Sequence, residues 1–296
     1  MSSGDAVEKL NNRQYGPWTL KAQKYFTQQQ TSPTAWWWDY ASSATLLAVG
    51  TAMKGLIACG FYRVYLRNVD KLVATIEDPD RKQPVITYAN HLSTMDDPLL
   101  WGLMPLRMLR QPDLTRWSLG AKELTFFNPF FAAFFSLGQT IPTMRGSGIY
   151  QDAVNIAIKK LNEKKWVHVF PESFCNQKPE IARLKWGVGR MIMESEINPI
   201  VIPIYHHGMT DVLPLGQPLP IPRFSPFKRK LLVSVGDPID FADLLEAWKK
   251  ERAMLKDDKD KEALDRNTRI KIVEILRVHL NVLKKDGDKF ITSENY

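Results

Sequence analysis

A histidine and an aspartate five positions apart are the side chains of this sequence best suited to proton transfer. His91 and Asp96 lie in the segment NHLSTMD, residues 90–96. Imidazole can accept a proton near neutral pH, and a carboxylate bound to its other ring nitrogen fixes the tautomer and stabilises the imidazolium. The pair predicts a general base, His91, that Asp96 orients and that acts on a hydroxyl supplied by the substrate.

The residues around this pair predict a loop between a strand and a helix. Residues 85–88 are rich in β-forming side chains, and Asp97 followed by Pro98 is typical of a helix N-cap and first helical position. His91 then lies in the connecting loop, where catalytic groups are common. A plain loop histidine with a capping acid is the alternative, and a two-residue pattern alone favours that alternative.

The composition indicates a globular protein with an anionic partner. The chain has 296 residues, 44% of them hydrophobic, and a net charge of +8. No zinc-ligand spacing, recognition-helix signature or aromatic RNA-binding motif accompanies this charge, so we expect anionic lipid at a membrane surface and no nucleic acid. The cysteines, Cys59 and Cys175, fit neither a metal motif nor a disulfide framework and are expected to be small apolar residues.

Four regions are predicted along the chain. Residues 1–35 are polar and are expected to form a loosely ordered lead-in. Residues 36–62 begin with three tandem tryptophans and continue as an apolar stretch that Ser42, Ser43 and Lys54 interrupt. We expect this segment to dip into one leaflet or lie at the interface, with a buried core helix as the alternative. Residues 63–240 would form the main domain, and residues 241–296 would form helices packed on it.

The pattern after Gly138 alternates between helix and strand. Such alternation predicts an α/β fold, a single domain with a central β-sheet core flanked by helices. The predicted elements are helices at 150–161 and 186–197, strands at 166–170, 200–205 and 231–235, a proline-rich loop at 213–226, a helix from Asp240, and a last amphipathic helix ending near Gly287.

A phenylalanine-rich segment at residues 126–135 precedes this alternation. Asn128 can cap a helix there and Pro129 can begin it. Its phenylalanines would share one helical face, which fits either packing in the core or the lining of an acyl-chain tunnel.

Three further blocks follow the histidine–aspartate pair. Arg145 ends the segment GQTIPTMR (138–145), Glu172 ends the strand-like segment VFPE (169–172), and Pro203 lies in the apolar segment VIPI (201–204). Arginine can hold a phosphate through two parallel hydrogen bonds, and a nearby glutamate can orient that arginine or accept from a glycerol hydroxyl. Each block alone is weak, but the four blocks in this order are specific.

In this order and at these intervals the blocks resemble the glycerolipid acyltransferase superfamily with the His-x-x-x-x-Asp motif. Further segments, FSLG (135–138), KWGVGR (185–190) and GMTDVLP (208–214), are similar to one branch of it, transacylases that remodel cardiolipin without coenzyme A. The resemblance runs from about residue 36 to about residue 240, which is most of the chain. One departure is Ser173, which stands where the superfamily usually has glycine; glycine there would allow close backbone approach or a positive φ.

The resemblance implies roles for the residues of the blocks. It implies His91 as the base and Asp96 as its partner in acyl transfer to a lysophospholipid hydroxyl, with Arg145, helped by Glu172, holding the headgroup phosphate. Asn90 and Ser173 complete the candidate substrate-binding residues, and a structural role ranks higher for Asn90. Outside the blocks, sequence position predicts a packed core histidine for His168. It predicts loop positions for His206 and His207, with a role in the site as the alternative.

The resemblance also implies substrates and a location. These are phospholipids and lysophospholipids including cardiolipin, and a monotopic position on mitochondrial inner and outer membranes facing the intermembrane space. No metal and no nucleotide cofactor are expected, because the sequence has no supporting ligand spacing and no glycine-rich phosphate loop. An acyl-CoA-dependent lysophospholipid or glycerol-phosphate acyltransferase stays open as an alternative, as does a non-catalytic peripheral membrane protein.

Overall fold

A seven-stranded mixed β-sheet forms the centre of the fold. The computed structural model describes residues 15–61, 63–212 and 229–293, so the predicted loop at 213–226 lies outside the described residues. The strands are Arg63–Arg67 (β1), Val85–Ala89 (β2), Trp117–Ala121 (β3), Thr140–Thr143 (β4), Trp166–Val169 (β5), Ile200–His207 (β6) and Lys230–Val235 (β7). Their order is β1-β7-β6-β2-β5-β3-β4, and neighbours are parallel except for the antiparallel pair β6 and β7.

Helices flank this sheet, which confirms the predicted fold class. Short π-helical and 3₁₀ turns lie at Ile57–Phe61 and Pro112–Leu114. The α-helices are Pro17–Thr31 (α1), Trp38–Leu56 (α2), Val69–Glu77 (α3), Asp96–Gly102 (α4), Leu106–Leu109 (α5), Lys122–Thr125 (α6), Pro129–Leu137 (α7), Asp152–Asn162 (α8), Gly187–Glu194 (α9), Met209–Val212 (α10), Ala242–Met254 (α11) and Asp258–Ser293 (α12).

Strand β2 is buried along its whole length and lies in the middle of the sheet. Alternate side chains of a strand point to opposite faces of its sheet. Accordingly, Ile86 and Tyr88 pack with residues of α8, α9 and α12, whereas Val85 and Ala89 pack with residues of α3, α4 and α5. Burial on both faces fixes the end of β2, and with it the start of the loop that carries the predicted base.

Helix α2 packs on the domain along one stripe. Its buried residues are Trp38, Ser42, Leu46 and Gly50, at four-residue spacing. Gly50 permits close contact, because a Cβ there would lie 2.2 Å from Cδ1 of Leu109. The segment Trp38–Cys59 is long and apolar enough to cross a membrane, and 17% of its most apolar window is buried. So much exposed apolar surface disfavours the alternative of a buried core helix.

Helix α1 corrects the prediction of a loosely ordered lead-in. Gln23 and Gln30 are buried on this helix, and their side-chain amides donate to the backbone oxygens of Phe126 and Thr140, each at 2.7 Å. The prediction is wrong for Pro17–Thr31 because polar side chains anchor this stretch to the domain. Residues 1–14 lie outside the described part of the chain.

Helix α7 begins as predicted but does not bury its phenylalanines as a core face. The side chain of Asn128 accepts a hydrogen bond from the backbone N–H of Phe131 at 2.9 Å, which confirms the predicted cap. The buried residues of the helix are Ala132 and Ser136, and Phe130 is 70% exposed. The phenylalanine-rich surface therefore faces outward at least in part.

The last helix does not end near Gly287, and that prediction is wrong. Helix α12 continues to Ser293. A Cβ at Gly287 would lie 2.7 Å from Cδ1 of Tyr205, so this glycine allows the helix to pack closely against β6. A glycine that permits close packing has the same sequence signature as one that ends a helix.

Candidate active site

The carboxyl ends of β2, β5 and β6 lie side by side at one edge of the sheet. The three strands are adjacent and parallel, with β2 in the middle. Loops that follow such strands form the usual ligand-binding edge of an α/β sheet. His91 follows β2 and Glu172 follows β5. His206 and His207 are the last residues of β6, so the loop position predicted for them is wrong. The first and third sequence blocks therefore meet in space.

Asp96 holds the imidazole of His91 in place. Its Oδ2 lies 2.8 Å from His91 Nδ1 and also accepts the backbone N–H groups of Leu92 at 2.6 Å and Ser93 at 2.9 Å. The Asp96 side chain is fully buried, whereas the His91 side chain is 20% exposed. Because the carboxylate binds Nδ1, Nε2 is the nitrogen available for proton transfer.

The surroundings of His91 favour its protonated form. Burial lowers the pKa of His91, but hydrogen bonds with Asp96 and Cys175 outweigh burial and raise the pKa to about 10. Burial dominates at two neighbouring histidines: it lowers the pKa of His168 to about 3 and also lowers the pKa of His206. Of these three histidines, only His91 has a raised pKa, so it is the one whose surroundings stabilise the protonated form that a general base must adopt.

The buried environment of His168 agrees with its predicted place in the core. The residue is fully buried in β5, and its Nδ1 lies 2.7 Å from Oγ1 of Thr87. The same hydroxyl accepts from the indole N–H of Trp166 at 2.8 Å. His168 is thus part of a packed hydrogen-bonded network in the sheet.

Helix α4 begins at Asp96, two residues before Pro98, the first helical position predicted from the Asp97–Pro98 pair. The Asp97 carboxylate accepts from the indole N–H of Trp101 at 2.6 Å and pairs with Arg116. Burial raises the pKa of Asp97, but these partners outweigh burial and hold the pKa below its usual range. The predicted capping role is wrong, because the cationic guanidinium draws the carboxylate away from the helix end.

Glu172 connects the loop after β5 to the loop after β2. Its Oε1 accepts the backbone N–H of His91 at 2.9 Å, and its Oε2 accepts from the side-chain amide of Asn176 and the backbone N–H of Ala182, both at 2.8 Å. The residue is 1% exposed. These contacts give Glu172 a positioning role toward the backbone of His91.

Asn90 fastens β2 to β6. Its side-chain amide donates to the backbone oxygen of His206 at 3.0 Å, and its side-chain oxygen accepts the backbone N–H of His206 at 3.0 Å. The Nε2 atom of His206 lies 2.6 Å from the backbone oxygen of Asn90. Both polar groups of the Asn90 side chain are used in this way, in agreement with the structural role ranked higher from the sequence.

Ser173 has the backbone conformation that glycine would favour. Its φ is 64°, in the left-handed region that most side chains avoid. Its backbone N–H donates to the oxygen of Phe170 at 3.0 Å and closes a tight turn. The serine side chain is exposed, so the departure from glycine changes backbone strain more than it changes packing.

Arg145 follows β4 and binds a glutamate other than the predicted one. Its Nε donates to Oε1 of Glu123 at 2.5 Å, and Glu123 is buried behind the end of β3. Neighbouring strands are roughly 4.8 Å apart, and β4 is three strands from β2, so β4 is roughly 14 Å from the strand that precedes His91. Arg145 and His91 could thus contact different parts of one extended substrate.

Three residues of this edge were missed by sequence reasoning: Glu123, Phe170 and Cys175. Phe170 stacks on the His91 imidazole with ring centroids 4.4 Å apart. The Sγ atom of Cys175 lies 3.5 Å from His91 Nε2. The sequence signal available for Phe170 and Cys175 was their place in or just after the Phe-Pro-Glu block.

Residues 15–61, 63–212 and 229–293 contain no group of three or more His, Cys, Asp or Glu side chains arranged for a metal ion.

Comparison with known proteins identifies the fold and the class. A family model described as Acyltransferase matches residues 66–207. The crystal structure of the 1-acyl-sn-glycerophosphate acyltransferase PlsC from Thermotoga maritima aligns with a TM-score of 0.50 at 17% identity, covering 92% of this chain and 96% of that one. At this identity the similarity shows a shared fold.

Relatives at higher identity narrow the class. The chain is 42% identical to tafazzin of Dictyostelium discoideum, covering 68% of this chain and 70% of that protein. It is 39% identical to tafazzin of Drosophila melanogaster, covering 73% of this chain and 56% of the relative. It is also 39% identical to N-acylphosphatidylethanolamine synthase of Arabidopsis thaliana, covering 60% and 63%. The chain thus spans little more than half of the Drosophila protein.

The chain belongs to the acyltransferase family. Its tafazzin relatives confirm the resemblance drawn from the four blocks and support a phospholipid transacylase of this family. The family model and the tafazzin relatives also confirm the predicted class of enzyme, an O-acyltransferase. Phospholipid substrates follow from this class, and the tafazzin relatives together with the apolar segment Trp38–Cys59 indicate membrane association.

Proposed function

We propose that this protein exchanges acyl chains between phospholipids and lysophospholipids, remodels cardiolipin, and needs no coenzyme A. The observation that carries the proposal is the 2.8 Å contact between His91 Nδ1 and the buried Asp96 carboxylate in an acyltransferase fold. A base of this kind activates a hydroxyl acceptor, and the tafazzin relatives favour an ester as the acyl donor over an acyl-CoA thioester. A lysophospholipid supplies the first and a phospholipid supplies the second, so neither has to contain coenzyme A.

The reaction proceeds through proton transfer at His91. Its Nε2 removes the proton of the lysophospholipid hydroxyl as the oxygen attacks an ester carbonyl of the donor. Asp96 stabilises the imidazolium that forms. The imidazolium then protonates the glycerol oxygen that leaves, and the donor departs as a new lysophospholipid. The reverse reaction uses the same steps, so exchange near equilibrium is expected.

Arg145 is proposed to hold a headgroup phosphate. A guanidinium can donate two parallel hydrogen bonds to phosphate oxygens. Glu123 holds the Nε side of this guanidinium at the carboxyl end of β4 and so limits its orientation. Glu172 and Asn90 act in the same proposal as residues that position the His91 loop, and Ser173 forms the turn beside it.

The membrane part of the proposal places the protein on mitochondrial membranes, facing the intermembrane space. Trp36 is 85% exposed and Tyr40 is 76% exposed at the start of α2, and aromatic side chains of this kind favour the headgroup region of a bilayer. Phe130 is exposed on α7, which packs against α2. The net charge of +8 favours anionic lipid, and cardiolipin is an anionic lipid.

Purified protein tests the donor and the base together. Phosphatidylcholine vesicles containing lysocardiolipin, without acyl-CoA, should yield acylated cardiolipin by mass spectrometry. His91→Ala should slow this transfer by roughly 10²- to 10⁴-fold. His207→Gln is the matched control, because His207 lies at the end of β6 with 43% of its side chain exposed. Transfer that appears only after acyl-CoA is added would replace this proposal with an acyl-CoA-dependent acyltransferase.

A second candidate function is transfer of the acyl chain to an amine. It is favoured by the 39% identity to a relative named N-acylphosphatidylethanolamine synthase. A base at His91 could remove a proton from the headgroup ammonium of phosphatidylethanolamine as it does from a hydroxyl. The product would then be an amide, which resists mild alkaline hydrolysis that cleaves esters. Alkali-resistant product from phosphatidylethanolamine vesicles would support this function, and its absence would exclude it.

A further inference from the structure

A thiol lies against the reactive nitrogen of the base. Cys175 Sγ is 3.5 Å from His91 Nε2, while Asp96 Oδ2 is 2.8 Å from His91 Nδ1. The three side chains follow the order of nucleophile, base and orienting carboxylate that activates a cysteine in cysteine-dependent acyl transfer. Cys175 is a free cysteine and is partly exposed.

The backbone around Cys175 holds this contact from both sides. The N–H of Asn176, the next residue, donates to the backbone oxygen of His91 at 2.6 Å. The side-chain amide of Gln177 donates to the backbone oxygen of Leu92 at 3.1 Å. On the other side of the cysteine, Glu172 accepts the backbone N–H of His91 at 2.9 Å. These hydrogen bonds join the loop after β2 to the loop after β5 and hold the Cys175 sulfur next to the His91 imidazole.

The position of the sulfur bears on the order of proton transfers. The Nε2 atom of a neutral imidazole that donates through Nδ1 has one lone pair, and it can accept from one donor at a time. The Cys175 sulfur lies 3.5 Å from that nitrogen. A lysophospholipid hydroxyl would have to displace the sulfur before His91 could remove its proton directly, whereas the thiol needs no such movement.

We propose that Cys175 is a catalytic nucleophile that carries the acyl group as a thioester between two half-reactions. The inference rests on the proposed transacylase function and replaces its single direct transfer with two half-reactions through a covalent intermediate. In the first half, the thiol proton moves to His91 Nε2 and the thiolate attacks the ester carbonyl of the donor phospholipid. The bond from carbonyl carbon to glycerol oxygen breaks, and the imidazolium protonates that oxygen.

The second half-reaction regenerates the thiol. The lysophospholipid product of the first half leaves and an acceptor lysophospholipid takes its place. His91 removes the proton of the acceptor hydroxyl, the oxygen attacks the thioester carbonyl, and the carbon–sulfur bond breaks. The Cys175 thiolate then takes the proton from the imidazolium. No oxidant or further reactant is consumed, and the two lipids occupy the site one after the other.

A covalent adduct provides the direct test. Full-length protein incubated with phosphatidylcholine vesicles that lack lysophospholipid should gain the mass of one acyl group less one hydrogen. Neutral hydroxylamine should remove that mass, because it cleaves thioesters more readily than esters. Peptide mapping should locate the adduct at Cys175, and Cys59→Ala should form it unchanged, since Cys59 is exposed in the π-helical turn that follows α2. Cys175→Ala should form no adduct and should lose more than about 100-fold in exchange rate.

Two further variants separate the role of the nucleophile from folding and from the function as a whole. Cys175→Ser should form a slower, hydroxylamine-resistant adduct if the side chain attacks the ester. Cys175→Ala with an unchanged unfolding temperature, a wild-type exchange rate and no thioester in the wild type would overturn the nucleophile and leave the transacylase function standing. Absence of exchange in the wild type would instead remove the proposed function, and adduct formation from acyl-CoA would then decide the nucleophile.

Discussion

Glu172 accepts the backbone N–H of His91 at 2.9 Å, so a buried carboxylate from the loop after β5 fixes the backbone of the proposed base. Its other oxygen accepts from Asn176 and Ala182. One side chain thus serves three donors from two loops. Glu172 therefore affects the reaction indirectly, because it positions the backbone of His91.

Glu172→Gln should lower both stability and turnover. The glutamine NH₂ group would face an N–H donor that the carboxylate oxygen now accepts. Two buried donors facing each other should lower the free energy of unfolding by roughly 2 kcal/mol. We expect a lower unfolding temperature and a fall in kcat with little change in KM, measured on the same vesicles. A raised KM with an unchanged unfolding temperature would assign Glu172 to substrate binding instead.

The pH dependence of exchange should report the raised pKa of His91. A base acts in its deprotonated form, so activity increases as pH rises through its pKa. Because the contacts with Asp96 and Cys175 raise the pKa of His91 to about 10, kcat/KM should still be increasing between pH 7 and 9. Vesicles without protein correct for alkaline hydrolysis of the lipid esters.

Asp96→Asn tests whether the pH dependence of kcat/KM arises from the pair of His91 and Asp96. Loss of the carboxylate removes the main contact that raises the pKa of His91, while burial continues to lower it. The rising limb should therefore move to lower pH, and the plateau should fall by roughly 10²- to 10⁴-fold. A limb that stays in place in Asp96→Asn would show that another group controls it.

The parts of the molecule that follow local rules could be predicted from the sequence. Strand β2 consists mostly of β-forming side chains and is buried on both faces. The capping of α7 by Asn128 needs only residues three positions apart. The pairing of His91 and Asp96 is also local, since one loop carries both side chains.

The parts that depend on distant segments could not be predicted. Glu123 meets Arg145 because β3 and β4 are neighbours in the sheet, and nothing near Arg145 in the chain indicates that glutamate. Cys175 reaches His91 because β5 lies beside β2. Gly287 has the sequence signature of a helix end, whereas the residue it packs against, Tyr205, is 82 residues away along the sequence.

The pair Arg145 and Glu123 should control the KM for phospholipid. Arg145→Lys keeps the charge but removes the planar fork that binds two phosphate oxygens. We expect KM to rise about tenfold with a smaller change in kcat, since a tenfold change equals about 1.4 kcal/mol of binding. Glu123→Gln should shift KM in the same direction by loosening the guanidinium.

A second ion pair provides the matched control for these variants. Arg277 and Glu274 pair at 2.9 Å on the exposed surface of α12. Arg277→Lys and Glu274→Gln change the same chemical groups and should leave KM unchanged. Equal effects of the two sets of variants would mean that overall charge, and not Arg145, controls lipid binding.

Ser173→Gly should stabilise the fold. A left-handed conformation costs a non-glycine residue roughly 1 to 2 kcal/mol, and the greater freedom of glycine in the unfolded chain offsets part of that gain. We expect a net gain of about 0.5 to 1 kcal/mol in the free energy of unfolding, measured by urea denaturation. Ser173→Ala removes the same hydroxyl but keeps the strain, so it should give no gain. Equal stabilities of the two variants would argue against strain at φ 64°.

The outward stripe of α2 should determine membrane binding. Trp38, Ser42, Leu46 and Gly50 face the domain, whereas Ala48 lies on the exposed side. Deleting this helix would uncover the contact between Gly50 and Leu109, so a single charge on the exposed side is the sharper test. Ala48→Glu should reduce sedimentation with anionic vesicles because it places a carboxylate in the apolar surface that meets lipid.

Ala247→Glu is the matched control for this variant. Ala247 is exposed on α11, so the substitution adds the same charge at another helical surface and should leave sedimentation unchanged. Both variants should keep the wild-type unfolding temperature, because neither alanine is buried. If Ala48→Glu sediments as fully as the wild type, the exposed face of α2 is not the membrane contact. If both variants are released equally, net charge alone accounts for the binding.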